Sequence, residues 1–447
     1  RQYIDFLIGK RFPLEWYIEG GRSRSGKLLP PRFGLLAYVV DAYRRGKSDD
    51  VYLIPVSVAY DQITDVGSYV AEQRGAAKER ESFGWFVGVI RGLRRRLGDI
   101  HIRFGEPLSL QRAVGSQDPG AEPGDDEHSL AVAKLAFEVS VRINRVTPIT
   151  PTSLVTLALL GVGDTALTVE EITTVLRNWV RYVRRRALPT TEELELDTPA
   201  GVQRALDALV QSEIVSAFTE GPEAVYAIRE DQQLSAAYYR NTIIHFFVNG
   251  AIAELALLRA AEDDVSDRAA EFWEEAMRLR DLLKFEFFFA EKDAFREEIR
   301  EEIALHDPQW EERLSRGAEE ITRVVQRIRP FSAHRVLRPF LEAYRVLADT
   351  LQRVDPAEPV DPAKLLADCL GLGRQYRLQR RIRSAESVSK VLFETALKLA
   401  RNRDLVEPAD GDLAERRKAF AEELRQVIRR VDAIEALAAS RRAGLLD

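Results

Sequence analysis

Cysteine is almost missing from this sequence. Cys369 stands alone, so no internal disulfide can form, and no Cys/His cluster has the spacing of zinc ligands. These absences point to a reducing compartment, with no metal and no bound cofactor, and Cys369 reads as a small buried apolar residue. Also absent is any apolar run approaching the roughly 18 to 20 residues that span a bilayer, and no basic-then-apolar leader is visible. A spanning helix is not expected. No period of about 20 to 50 residues repeats, which excludes a solenoid. The chain opens on Arg1 within RQYIDFLIGKRFPLEWYIEGG, a stretch that reads as a helix running into a strand, as a cut inside a domain would.

What is present suits packed cores: 45% of the 447 residues are hydrophobic and 30% charged, enough for two or three domains. The net charge of −6 is unevenly spread. Residues 1–112 hold 19 Lys and Arg against 13 Asp and Glu, and the remainder holds 46 against 58, so the first part alone suits anionic partners. In that part the apolar run Leu14 to Ile18, the helical spacing of Gly34 to Gly46 and the β-rich run Val51 to Tyr60 predict strand, helix and buried strand. That order implies a parallel pair with a right-handed crossover and ligand chemistry at the strands' carboxyl ends. A further strand is predicted at Ile100 to Phe104.

Residues 113–128, including VGSQDPGAEPGDDE, form an acidic Gly/Pro linker. Residues 129–447 read as mostly helix, with segments that include Ser129 to Asn144, Val169 to Arg186, Pro199 to Gln211, Ala236 to Arg259 and Ser266 to Ala290. Within it, residues 150–232 follow a winged-helix-like order. Pro199 to Gln211 carries only Arg204, which argues against reading nucleic acid.

The segment IEGGRSRSGK, Ile18 to Lys27, places an acid at a strand end, then glycines, two arginines and two serines. Arginine offers a planar fork of donors, serine hydroxyls and glycine amides add more, and glycine lets the backbone approach an anion. Glu19 would repel a phosphate and is expected to orient the turn or an arginine. The plain alternative is a basic surface turn. The P-loop spacing G-x-x-x-x-G-K-[ST] is absent, so nucleotide hydrolysis is not indicated.

E-G-G-R-S-R-S-G followed some thirty residues on by Ile54-Pro55-Val56 resembles the third and fourth motifs of the glycerol-3-phosphate acyltransferases, in their large membrane-associated bacterial form. VGSYVAEQRGAAKERES (Val66 to Ser82), INRVTPITPTSLV (Ile143 to Val155), YYRNTIIHFF (Tyr238 to Phe247), LRDLLKFEFFF (Leu279 to Phe289) and ESVSKVLFETALKLARNR (Glu386 to Arg403) extend the resemblance over nearly the whole chain. It implies the C-terminal portion of an α/β acyltransferase domain over residues 1–112, followed by a largely helical region. It also implies transfer of a fatty acyl group from acyl-CoA or acyl carrier protein to the sn-1 hydroxyl of glycerol 3-phosphate. Glu19, Gly20, Gly21, Arg22, Ser23 and Arg24 would then bind the substrate, with Arg22 and Ser23 nearest its phosphate. Ile54, Pro55 and Val56 would lie on the acyl-donor side, although Pro55 serves equally to end strand pairing.

The family's H-x-x-x-x-D motif, a base and its orienting carboxylate, has no match here. His101, His128, His245, His306 and His334 are followed five residues on by Glu106, Ala133, Gly250, Glu311 and Pro339. The chain by itself is therefore expected to be inactive. FGWFVGVIRGLRRRLG places Trp85 and Phe86 on one helical face and Arg91, Arg94, Arg95 and Arg96 around it, a pattern for lying on an anionic membrane or for packing on a core. The resemblance implies a peripheral place on the cytoplasmic face of the bacterial membrane. Two other readings stand beside it: a noncatalytic phosphate- or lipid-binding protein, and a dihydroxyacetone-phosphate acyltransferase.

Overall fold

The computed structural model describes residues 1–63, 66–75, 98–117, 126–192, 194–408 and 411–444, with backbone alone at 126–128. The fold is mostly helical with small sheets. The first part contains α1 (Gln2–Gly9), α2 (Phe33–Arg44), β1 (Tyr52–Leu53), β2 (Val56–Tyr60), α3 (Val66–Gln73), β3 (Ile100–Phe104), β4 (Leu108–Ser109) and α4 (Leu110–Val114). After it come α5 (Asp126–Val146), α6 (Pro151–Leu160), β5 (Leu167–Thr168), α7 (Val169–Arg185), α8 (Pro199–Gln211), β6 (Ser216–Phe218) and β7 (Val225–Ala227). The remainder is helical: α9 (Gln233–Ile243), α10 (Val248–Ala260), α11 (Arg268–Leu282), α12 (Lys292–Ala304), α13 (Trp310–Arg316) and α14 (Ala318–Arg327), then α15 (Ala333–Val336), α16 (Arg338–Leu351), α17 (Pro362–Leu378), α18 (Lys390–Asn402) and α19 (Leu413–Arg442).

The expected parallel unit does not form among the described residues. β1 pairs with β4 and β2 with β3, both antiparallel, so residues 51–60 run against 100–110 as one interrupted hairpin. Leu14 to Ile18 joins no ladder. It alternates burial, with Ile18 inside and Glu15 and Tyr17 outside, as an extended segment laid on the core of α2. The run Val51 to Tyr60 is likewise not one strand buried on both faces. It breaks at Pro55, which has no amide to give to a ladder, and β2 buries Ser57 and Ala59 while exposing Val56, Val58 and Tyr60.

Two cores result. Leu36, Val39, Val40 and Tyr43 of α2 meet Val132, Leu135 and Val139 of α5 and Leu53, Leu108 and Leu110 from the hairpin. Packing thus carries α5 into the first core, past the acidic segment. The larger core surrounds α10, which is apolar nearly all round and is covered by α11, α12, α14, α15 and α19. Residues Glu230–Ala260 are long and apolar enough to cross a membrane, yet most of this stretch is inside the protein, and its charged Arg240 and Glu254 are buried with partners. A core helix accounts for it.

Also part of the larger core, α6, β5, α7, α8, β6 and β7 follow one another along the chain, with a three-stranded sheet in the order β5, β7, β6. Thr150 and Thr168 begin α6 and α7 with reciprocal caps to Ser153 and Glu171. Arg204 on α8 pairs with Glu195. The predicted helix over Ala236 to Arg259 is split by a 3₁₀ turn at Ile244–Phe247, and the one over Ser266 to Ala290 ends at Leu282, since Leu283 to Ala290 folds as turns.

Candidate functional site

Glycines at both ends shape the turn from Glu19 to Gly26. Gly20 has φ +65° and Gly26 φ +83°, in the left-handed region that favours glycine. The base of the turn is clamped: Gly20 N–H donates to Tyr17 O at 3.0 Å, Arg32 N–H to Ile18 O at 2.8 Å, and Leu29 N–H to a Glu19 carboxylate oxygen at 2.7 Å. Burial pushes the Glu19 carboxyl above the ordinary carboxylate range, opposed by the Leu29 amide. Gly21 and Arg22 are exposed, and a Cβ added at Gly21 would meet nothing. Ser23 Oγ accepts from Gly26 N–H at 3.1 Å, which leaves the hydroxyl proton to donate.

Arg24 points the other way. Its Nε donates to Glu72 at 2.8 Å, its Nη1 to Arg22 O at 3.2 Å, and its guanidinium lies 4.8 Å from the centre of the Tyr69 ring. The geometry makes Arg24 a strut to α3, whereas Arg22 is an exposed residue of the turn.

The far side of the turn rests on the helical region. A Cβ at Gly26 would overlap the carbonyl oxygen of Tyr238 in α9, so only glycine fits. Gln73 Nε2 donates to Arg24 O at 2.6 Å and Asn241 Nδ2 to Ser25 O at 2.8 Å. Asn241 is itself fixed, since its Oδ1 accepts from Arg240 Nε at 3.1 Å and Nη2 at 2.8 Å, and Arg240 forms a buried ion pair with Glu386. Gln73 Oε1 accepts from Ser389 Oγ at 3.3 Å. Beyond the turn, Lys27 pairs with Glu286 and lies 4.4 Å and 4.9 Å from the ring centres of Phe340 and Phe287. Burial pushes the Lys27 ammonium below its ordinary value and Glu286 pulls it back. Tyr344 Oη donates to the other Glu286 oxygen at 3.2 Å.

Reading the sequence did not single out Gln73, Asn241, Glu286, Arg240, Glu386 or Ser389. Each lies far along the chain from the turn, and no local spacing announces a tertiary contact. A signal existed nonetheless. Gln73, Arg240 and Asn241, Glu286, and Glu386 with Ser389 all fall inside the segments that carry the family resemblance.

Ile54, Pro55 and Val56 sit at the interruption of the hairpin. Pro55 is buried and its carbonyl accepts from Gly105 N–H at 2.8 Å, so the pairing continues across the break, while Ile54 and Val56 are exposed. His101 Nε2 stands 3.2 Å from Asp61 Oδ1, and Asp61 Oδ2 accepts from Asp99 N–H at 2.9 Å, which ties the ends of β2 and β3 together. His245 Nε2 bonds to Asn144 O at 2.9 Å, and burial takes its pKa down to about 4. His306 stacks on Tyr182, and His334 is buried among arginines. Trp85, Phe86, Arg91, Arg94, Arg95 and Arg96 lie outside the described residues. Among the described residues no three His, Cys, Asp or Glu are grouped to hold a metal.

Residues 69–409 match the family model described as the glycerol-3-phosphate acyltransferase C-terminal region. Proteins named as acyltransferase plsB1 in Mycobacterium bovis and Mycobacterium tuberculosis are 40% identical over 441 residues, covering 98% of this chain and 70% of theirs. The glycerol-3-phosphate acyltransferase of Pseudomonas putida is 30% identical over 259 residues, 56% of this chain and 31% of that protein. With the family model spanning most of the chain and relatives aligned over nearly all of it, the chain belongs to the glycerol-3-phosphate acyltransferase family.

Proposed function

We propose that Glu19 to Gly26 is the glycerol 3-phosphate site of an enzyme that moves a fatty acyl group from acyl-CoA or acyl carrier protein to the sn-1 hydroxyl. The observation that supports this most is the turn itself: two left-handed glycines, an exposed Arg22, and a Ser23 hydroxyl whose acceptor side is already occupied. Arg22 would grip two phosphate oxygens through its fork, and Ser23 and the neighbouring amides would donate to the others. Glu19 is turned to the Leu29 amide, so its charge serves the turn and not the ligand. Ile54 and Val56, exposed beside the buried Pro55, would lie toward the acyl donor.

In the reaction, the sn-1 oxygen attacks the thioester carbonyl, the C–S bond breaks, and the hydroxyl proton leaves through a base to the departing thiolate. No histidine of this chain has an aspartate five residues on, and His101 is tied to Asp61 at the strand ends. The 447 residues on their own are accordingly expected to show no acyl transfer. Acyl transfer to glycerol 3-phosphate above a heat-killed control would contradict that expectation. For the site, calorimetric titration with glycerol 3-phosphate is expected to show binding that Arg22→Ala weakens at least about tenfold; an unchanged affinity would move the site elsewhere. We place the protein on the cytoplasmic face of the bacterial membrane, where its product belongs. Flotation with anionic vesicles tests this, and protein left wholly at the bottom of the gradient would refute it.

A further inference from the structure

Two neighbouring carbonyls of the turn are both held by side-chain amides from behind. Arg24 O is bound by Gln73 of α3 and Ser25 O by Asn241 of α9. A trans peptide is planar, with its N–H directed opposite to its C=O. Holding Arg24 O toward Gln73 therefore turns the Ser25 N–H away from α3. Holding Ser25 O toward Asn241 turns the Gly26 N–H away from α9, and that N–H does reach Ser23 Oγ. Two amide side chains thus set the direction of two backbone donors, the second of which binds the Ser23 hydroxyl.

Neither amide is free to rotate into the opposite polarity. Swapping the oxygen and nitrogen of Asn241 would place an NH₂ group against the Arg240 guanidinium, and Arg240 is held by Glu386 and by Arg335 O at 3.1 Å. For Gln73 the opposite polarity would set Oε1 against the Arg24 carbonyl oxygen, which can only accept. Gln73, Asn241 and Ser389 are all buried, so water does not compete for these bonds. The contacts join residues 24 and 25 to positions 73, 241, 386 and 389, across the two parts of the molecule.

We propose that Gln73 and Asn241 are positioning residues for phosphate recognition. From the helical region and α3 they fix the peptide planes of residues 24 to 26, so that the Ser25 amide and the Ser23 hydroxyl face an anion beside Arg22. The inference rests on the reading of this turn as the phosphate site. It assigns part of the helical region a task in the chemistry of the first part, beyond burying its own core.

The test titrates glycerol 3-phosphate and inorganic phosphate separately into the 447-residue protein and into Gln73→Leu, Asn241→Leu, Arg22→Ala and Leu257→Ala variants. Leu257 is fully buried in α10, within the larger core, so its truncation reports general destabilisation alone. Gln73→Leu and Asn241→Leu are each expected to weaken both ligands by at least about tenfold well below the melting temperature. Leu257→Ala is expected to lower the melting temperature and leave the affinities within about threefold. Gln73→Met, which keeps the length of the side chain and adds no charge while removing the donor, should behave as Gln73→Leu; it keeps the test decisive if Asn241→Leu fails to fold. If the parent and Arg22→Ala bind alike, or the parent does not bind, the phosphate reading falls and the positioning role with it. If the parent binds, Arg22→Ala loses affinity and the Gln73 variants match the parent, the positioning role alone is overturned.

Discussion

Fourteen of the eighteen large apolar side chains exposed among the described residues lie between Tyr3 and Phe104, and four lie beyond Asp126. The helical part encloses what it has. In the first part the hairpin lays Val56 against Phe104, Val58 against Ile102 and Tyr60 against Ile100, three apolar cross-strand pairs on one uncovered face. On the opposite face α5 packs against β2, and just past the end of α5 Thr147 Oγ1 meets Ser57 Oγ at 2.8 Å. The helical part encloses the larger core and also carries the platform for the turn, whereas the first part carries the turn and exposes one apolar sheet face.

The sharpest way to break this contrast is at the joint between the two. Glu386→Ala leaves Arg240 buried without its carboxylate and loosens Asn241, and is expected to cost about 3 to 5 kcal/mol in urea unfolding. A cost near zero would mean that water reaches this pair. Next comes a matched comparison of apolar truncations: Leu257→Ala inside the helical core should cost about 2 to 5 kcal/mol, and Ile102→Ala on the bare face less than about 0.5 kcal/mol. Equal costs would show that the face is covered in solution.

A third effect depends on pH. Burial pushes the Glu254 carboxyl up to about 8, against the donors of Ser332 and Ala333. Between its unfolded value near 4.5 and this folded value, the folded protein holds a proton that the unfolded chain releases. The associated stability is complete below the lower value and is lost as pH rises through the upper one, with a slope of up to about 1.4 kcal/mol per pH unit. Glu254→Gln should flatten this part of the stability profile; an unchanged slope would assign it to other groups. The smallest effect expected is that of Thr168→Ala, which removes the cap of α7 and should cost about 1 kcal/mol by thermal unfolding.

How much of this could be read beforehand follows from how local each determinant is. Pro199–Gln211 was legible to the residue because Thr198 caps it and Pro199 opens it. The interrupting effect of Pro55 was equally legible, being a property of one residue. Direction of pairing was not: Val51 to Tyr60 looks the same in a parallel and an antiparallel sheet, and its partner is chosen by the return of the chain at Ile100. The helices Trp310–Arg316 and Ala318–Arg327, short, heavily charged and separated at Gly317, were not anticipated. In the site, the glycine and arginine composition marked the turn, but that Arg24 is drawn to α3 depends on Glu72 and Tyr69, and the amides behind the turn come from positions up to 216 residues away.

Hydrogen exchange with and without glycerol 3-phosphate tests the central claim most directly, because it locates the ligand on the backbone. Slower exchange in residues 20–26, with no change over β2 and β3, is the predicted result. Saturating ligand that leaves residues 20–26 unprotected, or protects another segment in their place, would contradict the assignment of this turn as the phosphate site.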